Sequence, residues 1–337
     1  MEPKAQREAM LYEQLNDKAV RCGLCGHGCT IQPGKKGLCA VRANEDGTLV
    51  SLNFGRLVAA NIDPVEKKPL FHVKPGSPTW SIAAVGCNFQ CDFCQNWRIS
   101  QAPREGREQH VMQSDPAAIV AEAIAARCPS ISYTYTEPTV YFELAYDTAT
   151  IAKKAGLRNF FVSNGFMTPA AVEKIAPVLD AINVDLKAFD DATYRTVMKA
   201  RLAPVLDCLR ALIAAKVWVE VTTLLVPGMN DGEGELNAIA SFIAGDLGAD
   251  VPWHVTEYHD DYRMTGRGHT PRSAVNAAVD AGRNAGLRYV YGGNNYDTRC
   301  SHCDYLLIAR EGFSILTNRI EDGACPKCGA HMPGIWL

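Results

Sequence analysis

The chain has 337 residues, a formal net charge of -3 at pH 7 and 47% apolar side chains. That balance excludes a protein that gathers nucleic acid or anionic lipid through overall charge, and no apolar run approaches the roughly 18 residues a transmembrane helix needs. The polar start, Met1 to Glu8, lacks the positive-then-apolar order of a secretory signal, so a cytoplasmic location is expected, with neither membrane nor nucleic acid as partner.

In chain order, residues 1–60 come first and carry Cys22, Cys25, Cys29 and Cys39 among glycines and short polar stretches. This segment has little apolar material of its own, so a metal would help it hold shape. Residues 61–292 alternate strand and helix patterns. Trp80 to Val85 reads as a buried strand. Asp115 to Arg127 reads as a helix with Ser114 as N-cap and Pro116 in the first turn. Strand Ser130–Tyr135 is followed by a helix from Thr139 to Ala155 that Gly156 ends. Strands are then expected at Asn159–Ser163, Ala181–Leu186, Val217–Leu225, Pro252–Glu257 and Arg288–Tyr291. The helices between them are expected at Pro169–Leu179, Ala203–Ala215, Glu233–Ile243 and Pro271–Ala285. Strands separated by helices of this length pair in parallel through right-handed crossovers. Six or seven such units suit a partial (β/α) barrel, with a doubly wound sheet as the structural alternative; barrel chemistry belongs at the C-terminal strand ends. Residues 293–337 change character again, with Cys300, Cys303, Cys325 and Cys328 as two CxxC knuckles.

Thirteen cysteines are many for a reducing compartment, where clustered thiols point to metal rather than to disulfides. Cys128 and Cys208 stand apart in apolar helical stretches and read as small buried hydrophobes. The central group, Gly86-Cys87-Asn88-Phe89-Gln90-Cys91-Asp92-Phe93-Cys94, directly follows the first barrel strand. Thiolates are the natural ligands of iron-sulfur clusters. Three of them in one tight loop can hold three corners of a [4Fe-4S] cube and leave the fourth iron open, as catalytic metals keep an open position. A three-Cys zinc site would want a histidine, and none lies in or beside the loop.

Polar residues recur where strands should end. Glu137 lies in Tyr133-Thr134-Tyr135-Thr136-Glu137-Pro138-Thr139, Asn164 in Ser163-Asn164-Gly165, and Asp185 with Lys187 in Asn183-Val184-Asp185-Leu186-Lys187. His254 sits within Pro252-Trp253-His254-Val255-Thr256-Glu257. Each has a plainer reading: a helix-start acid, a turn pair, an ion pair, and a core histidine. Their shared placement around a cysteine loop favours a common site.

The loop resembles the radical S-adenosylmethionine (SAM) superfamily signature CxxxCxΦC, with Phe93 as the aromatic Φ. The resemblance implies a partial (β/α)6-type TIM-like barrel. It also implies a [4Fe-4S] cluster on Cys87, Cys91 and Cys94, and SAM chelated to the fourth iron with Phe93 near its adenine. It further implies a reductant such as flavodoxin or ferredoxin. TYTEPT is similar to the GGE-type motif whose acid meets the SAM ammonium, while SNG and DLK resemble segments of glycyl-radical-enzyme activases. By that resemblance Glu137, Asn164, Asp185, Lys187 and, more weakly, His254 are SAM-site residues. Val226-Pro227-Gly228-Met229-Asn230-Asp231 matches a turn of the same activases and reads as a loop on the substrate side.

The C-terminal spacing, C-x2-C-x21-C-x2-C, is a zinc-ribbon pattern. A structural zinc is the first expectation there and an auxiliary iron-sulfur cluster the second. The N-terminal spacing, C-x2-C-x3-C-x9-C, fits zinc or iron-sulfur, with His27 as a substitute ligand. Together with Asp63-Pro64-Val65-Glu66-Lys67-Lys68-Pro69-Leu70-Phe71-His72 and a chain end at Pro333-Gly334-Ile335-Trp336, the pattern resembles AmmeMemoRadiSam-system radical SAM enzymes, relatives of pyruvate formate-lyase activases. That resemblance implies AMMECR1-like and Memo-like partner proteins. The expected activity is reductive SAM cleavage followed by hydrogen abstraction. The substrate is either a protein glycyl residue or a small molecule or peptide. A non-catalytic zinc-ribbon binding protein is the reading from another class.

Overall fold

A computed structural model describes residues 7–293 and 296–336. Most of the polar start (Met1–Gln6), Asn294–Asn295 and the last residue, Leu337, lie outside the described residues. The main sheet holds seven parallel strands: Pro78–Ala84, Ser130–Tyr133, Arg158–Ser163, Ala181–Asp185, Trp218–Leu225, Trp253–Glu257 and Val290–Tyr291. Each strand neighbours the next in sequence, with no reversal of order. A doubly wound sheet needs such a reversal at its switch point, so the fold is an incompletely closed barrel. Helices cross between the strands, among them Pro116–Ala125, Phe142–Lys154, Leu202–Ala214 and Arg272–Asn284.

Several boundaries differ from the sequence expectation for identifiable reasons. The cap of the first crossover helix is Asp115, not Ser114; its side chain accepts from Ala118 N at 2.9 Å. Pro116 at the first helical position fixes the cap one residue earlier in the chain. The strand beginning at Ser130 stops at Tyr133, and Tyr135 takes a φ of 61° that no strand continues through. The helix beginning at Pro169 is α-helical only to Ile175; Pro177, which cannot donate a backbone hydrogen bond, sits within the 3-10 turn Ala176–Val178 that follows. A helical segment at Asp191–Met198, rich in β-branched residues, escaped the sequence pattern.

The boundary expected at residue 60/61 falls inside strand Arg56–Pro64. That strand pairs antiparallel with Pro78–Ala84 along its length and so belongs to the barrel sheet. Before it, the N-terminal segment forms two small three-stranded sheets. At the far end, Leu306–Glu311 and Ser314–Asn318 form the hairpin between the two CxxC knuckles.

The stretch Pro69–Ser77 runs between barrel and C-terminal module and joins them. His72 N and Phe71 N both donate to the Glu220 carboxylate at 2.9 Å. Ile335 N donates to His72 O, and Lys74 N to Ile335 O, both at 2.7 Å. Arg310, mostly buried, donates to Phe71 O at 2.8 Å and lies 4.3 Å above the Phe71 ring.

Candidate active site

The loop Gly86–Cys94 leaves strand Pro78–Ala84 at its C-terminal end. Gly86 has φ +105°, and a side chain there would meet Val41 Cγ1 at 2.9 Å. Only glycine lets the N-terminal segment close this tightly over the loop. The loop is curled and pinned at its backbone. Gln90 N donates to Met198 O at 2.9 Å and Asp92 N to Val197 O at 3.2 Å. Arg104 donates to Cys87 O at 2.6 Å and to Phe89 O at 3.0 Å.

Burial pushes the Cys87 thiol well up, with the nearby Glu137 charge adding to it. Burial likewise raises Cys91 to about 12, against the opposing pull of Lys187, and raises Cys94. Bare thiolates are therefore disfavoured here, and a cationic guest is what would hold them ionised. The three sulfurs are not drawn together as around a single ion. Among the described residues, only Cys300, Cys303, Cys325 and Cys328 bring their ligand atoms all within 4.8 Å of one another. Wider spacing suits a cube whose corners are separate irons, so the central trio fits a [4Fe-4S] cluster.

Glu137 is fully buried, and its carboxylate is already engaged. Oε1 accepts from Thr139 N at 3.0 Å, Thr139 Oγ1 at 2.6 Å and Ser163 Oγ at 2.8 Å; Oε2 accepts from Asn164 N at 2.8 Å. Three of the four donors crowd Oε1 and one reaches Oε2; with about two acceptor positions per carboxylate oxygen, Oε2 can still accept another. Glu137 thus ties two strand ends together through Oε1, while Oε2 accepts only from Asn164 N among the described residues. Asn164, in turn, donates to Asn88 Oδ1 at 2.7 Å and lies 3.7 Å from Cys87 Sγ.

Lys187 Nζ pairs with Asp185 Oδ2 at 2.8 Å and lies 5.9 Å from the Phe93 ring centroid. Burial would lower the Lys187 pKa, but the adjacent Asp185 and Cys91 charges outweigh it and hold the ammonium above its usual range. The Asp185 side chain is 35% exposed, so this pair stays partly open to solvent. The turn after strand Trp218–Leu225 supports it. Asn230 Nδ2 donates to Lys187 O at 2.8 Å, while its Oδ1 accepts from Val226 N at 2.7 Å. The matched turn thus braces the DLK strand end.

His254 does not join this group. It is level with Thr222 and Asp185 in register, yet its Nε2 lies 2.6 Å from Glu220 Oε2 and its ring packs on Phe71 and Tyr291. The core-histidine reading is the one its contacts favour. Asn88 and Arg104, by contrast, touch the site and were not singled out from sequence. Asn88 sits inside the CxxxC spacing, so its place next to Cys87 was the available signal. Arg104 follows the loop by ten residues, and nothing in the local pattern marks it.

The radical SAM superfamily profile matches residues 81–238, the span from the first barrel strand through the DLK and VPGMND segments. The uncharacterized protein MJ0808 of Methanocaldococcus jannaschii is 42% identical over 96% of this chain and 98% of its own length. The chain belongs to the radical SAM superfamily. It is a radical SAM enzyme with the α/β fold of that superfamily, and the superfamily's cofactors are a [4Fe-4S] cluster and SAM. The non-catalytic zinc-ribbon reading gives way to this membership. A glycyl-radical-activase candidate of M. jannaschii, MJ1632, is 24% identical over 53% of this chain and 66% of its own length. The benzylsuccinate synthase activating enzyme of Thauera aromatica is 26% identical over 36% of this chain and 41% of its own length. Among the described residues, no helix is long and apolar enough to cross a membrane.

Proposed function

We propose that this radical SAM enzyme abstracts a hydrogen atom from a glycyl residue of a protein substrate, in an activase-like reaction. When bound, the cluster supplies the electron that splits SAM into methionine and a 5′-deoxyadenosyl radical. Cys87, Cys91 and Cys94 hold the cluster, and the observation that carries the reading is that the loop offers three thiols where a cube takes four. Asn88 and Asn164, the polar neighbours of Cys87, are amides and do not replace the missing thiolate. Asp185 and Lys187 offer complementary charges to the amino-acid and ribose parts of SAM, and Phe93 offers an apolar face. Glu137 and Asn164 position Cys87 and the neighbouring strand end. The two activase relatives support the glycyl substrate class.

The four C-terminal thiols are proposed to hold a structural zinc. Tetrahedral Zn–S bonds of about 2.3 Å put sulfurs about 3.8 Å apart, and Cys300–Cys328 and Cys303–Cys325 stand at 3.6 and 3.8 Å. A flavodoxin or ferredoxin is proposed as reductant, and AMMECR1-like and Memo-like proteins as partners.

The test is anaerobic incubation of reconstituted protein with SAM and dithionite, read as 5′-deoxyadenosine. Formation is expected, and its absence overturns the radical reading. With an extract whose proteins carry deuterated glycine, deuterium should enter 5′-deoxyadenosine. Turnover without deuterium transfer moves the substrate to a small molecule or peptide.

A further inference from the structure

The N-terminal cysteines are spaced differently from the C-terminal ones. Cys22, Cys25, Cys29 and Cys39 line one small cavity together with Arg42 and His27. The four thiols feel one another: Cys25 lies within electrostatic reach of Cys22, Cys29 and Cys39. Yet among the described residues the group whose ligand atoms draw together as around one ion, all within 4.8 Å, is the C-terminal four and not these. The cavity they line has a volume of about 20 Å³ for the centre of a water-sized sphere. A cavity needs roughly 10–15 Å³ by that measure to take a water. Four thiolates closed on one zinc at about 2.3 Å leave no such room. The N-terminal set, like the central cluster loop, is thus not drawn together as the ribbon is.

The surroundings suit a polyanionic guest. Arg42 is buried, paired with the buried Glu143, and its Nη1 lies 3.9 Å from Cys22 Sγ. Its Nε has no hydrogen-bond partner, a donor left over for an inorganic sulfide at a position where an unpaired donor is costly. The cavity also abuts the central site. Arg104 donates to Leu38 O at 2.7 Å, next to Cys39, and to Cys87 O at 2.6 Å. His27 Nε2 lies 2.8 Å from Asn88 O. A side chain on Gly86 would come 3.7 Å from Cys39 O.

We infer that Cys22, Cys25, Cys29 and Cys39 hold a second [4Fe-4S] cluster, not zinc. Four thiolates ligate all four irons, so this cluster has no open corner for SAM and is a one-electron site set directly beside the catalytic loop. It goes beyond the function proposed above and does not depend on it.

Iron, acid-labile sulfide and zinc counts on the anaerobically reconstituted full chain test it. About eight irons are expected per chain, two clusters of four. Cys25→Ser with Cys39→Ser should lower the count by about four and keep the zinc. Should that variant fail to fold, Cys87→Ala, Cys91→Ala and Cys94→Ala combined gives the complementary readout, about four irons retained in a site that binds no SAM. A wild type with about four irons and two zincs overturns the inference, as does a central triple variant without iron.

Discussion

At the scale of single residues, the site separates groups that touch the guest from groups that hold the protein in shape. Glu137 has a structural part, since Thr139, Ser163 and Asn164 all donate to its carboxylate. Glu137→Ala leaves four donors without a partner in a buried place. Hydrogen bonds to charged groups are worth about 1.5–3 kcal/mol each, with strong non-additivity, so a loss of roughly 3 kcal/mol or more in denaturant unfolding is expected. Unchanged stability would return Glu137 to the pool of free ligand contacts. Asp185 behaves oppositely. Its partly exposed side chain pairs with Lys187, so Asp185→Asn should leave the melting temperature nearly unchanged while weakening SAM affinity about tenfold, the equivalent of 1.4 kcal/mol. Titration of the anaerobic protein with SAM reads this directly, and an unaltered Kd would remove Asp185 from the SAM site.

At the scale of elements, strand ends do the work and short turns hold them. The turn Val226–Asp231 folds on itself through Asn230 and Asp231, then clamps Lys187 O. The C-terminal hairpin is held in another way. Its strands are short, and the exposed Phe313 and Leu316 contribute little to a core. Small units of this kind draw folding free energy from their metal. Cys300→Ser with Cys325→Ser should therefore abolish zinc binding and lower the melting temperature, while the brown colour of the iron sites stays. Zinc retained in that variant would place the ion elsewhere.

At the scale of the whole molecule, one buried chain of contacts joins the barrel to the ribbon. Glu220 anchors Phe71 and His72; the His72 ring bridges Pro333 O and Tyr291 Oη, both at 2.7 Å; Arg310 reaches in from the hairpin to Phe71 O. Burial depresses the His72 pKa to about 4, against the pull of the Glu220 charge. The unfolded chain then binds the proton more readily than the folded one. The neutral ring's stabilisation is complete above the unfolded value of about 6.5 and is lost as pH falls from there towards 4, about 3 kcal/mol in all. His72→Gln should flatten the acid limb of a melting-temperature profile across that window. An identical limb in the variant would assign the acid sensitivity to other groups.

The sequence by itself determined the chemistry and its place. The spacing of Cys87, Cys91 and Cys94 after an apolar strand, and the two CxxC knuckles, are local covalent patterns that need no folded context to be read. The alternation of strand and helix also announced the parallel barrel, because period and length are local too. Only the tertiary structure decided what each polar strand-end residue does. Glu137 and His254 carry the same side-chain chemistry whether they meet a ligand or a neighbour, and it is the fold that buries both and brings them Asn164 and Glu220 from neighbouring strands. The same holds for the first four cysteines. Their spacing admits zinc or iron, and only the fold shows that they line one cavity beside the cluster loop.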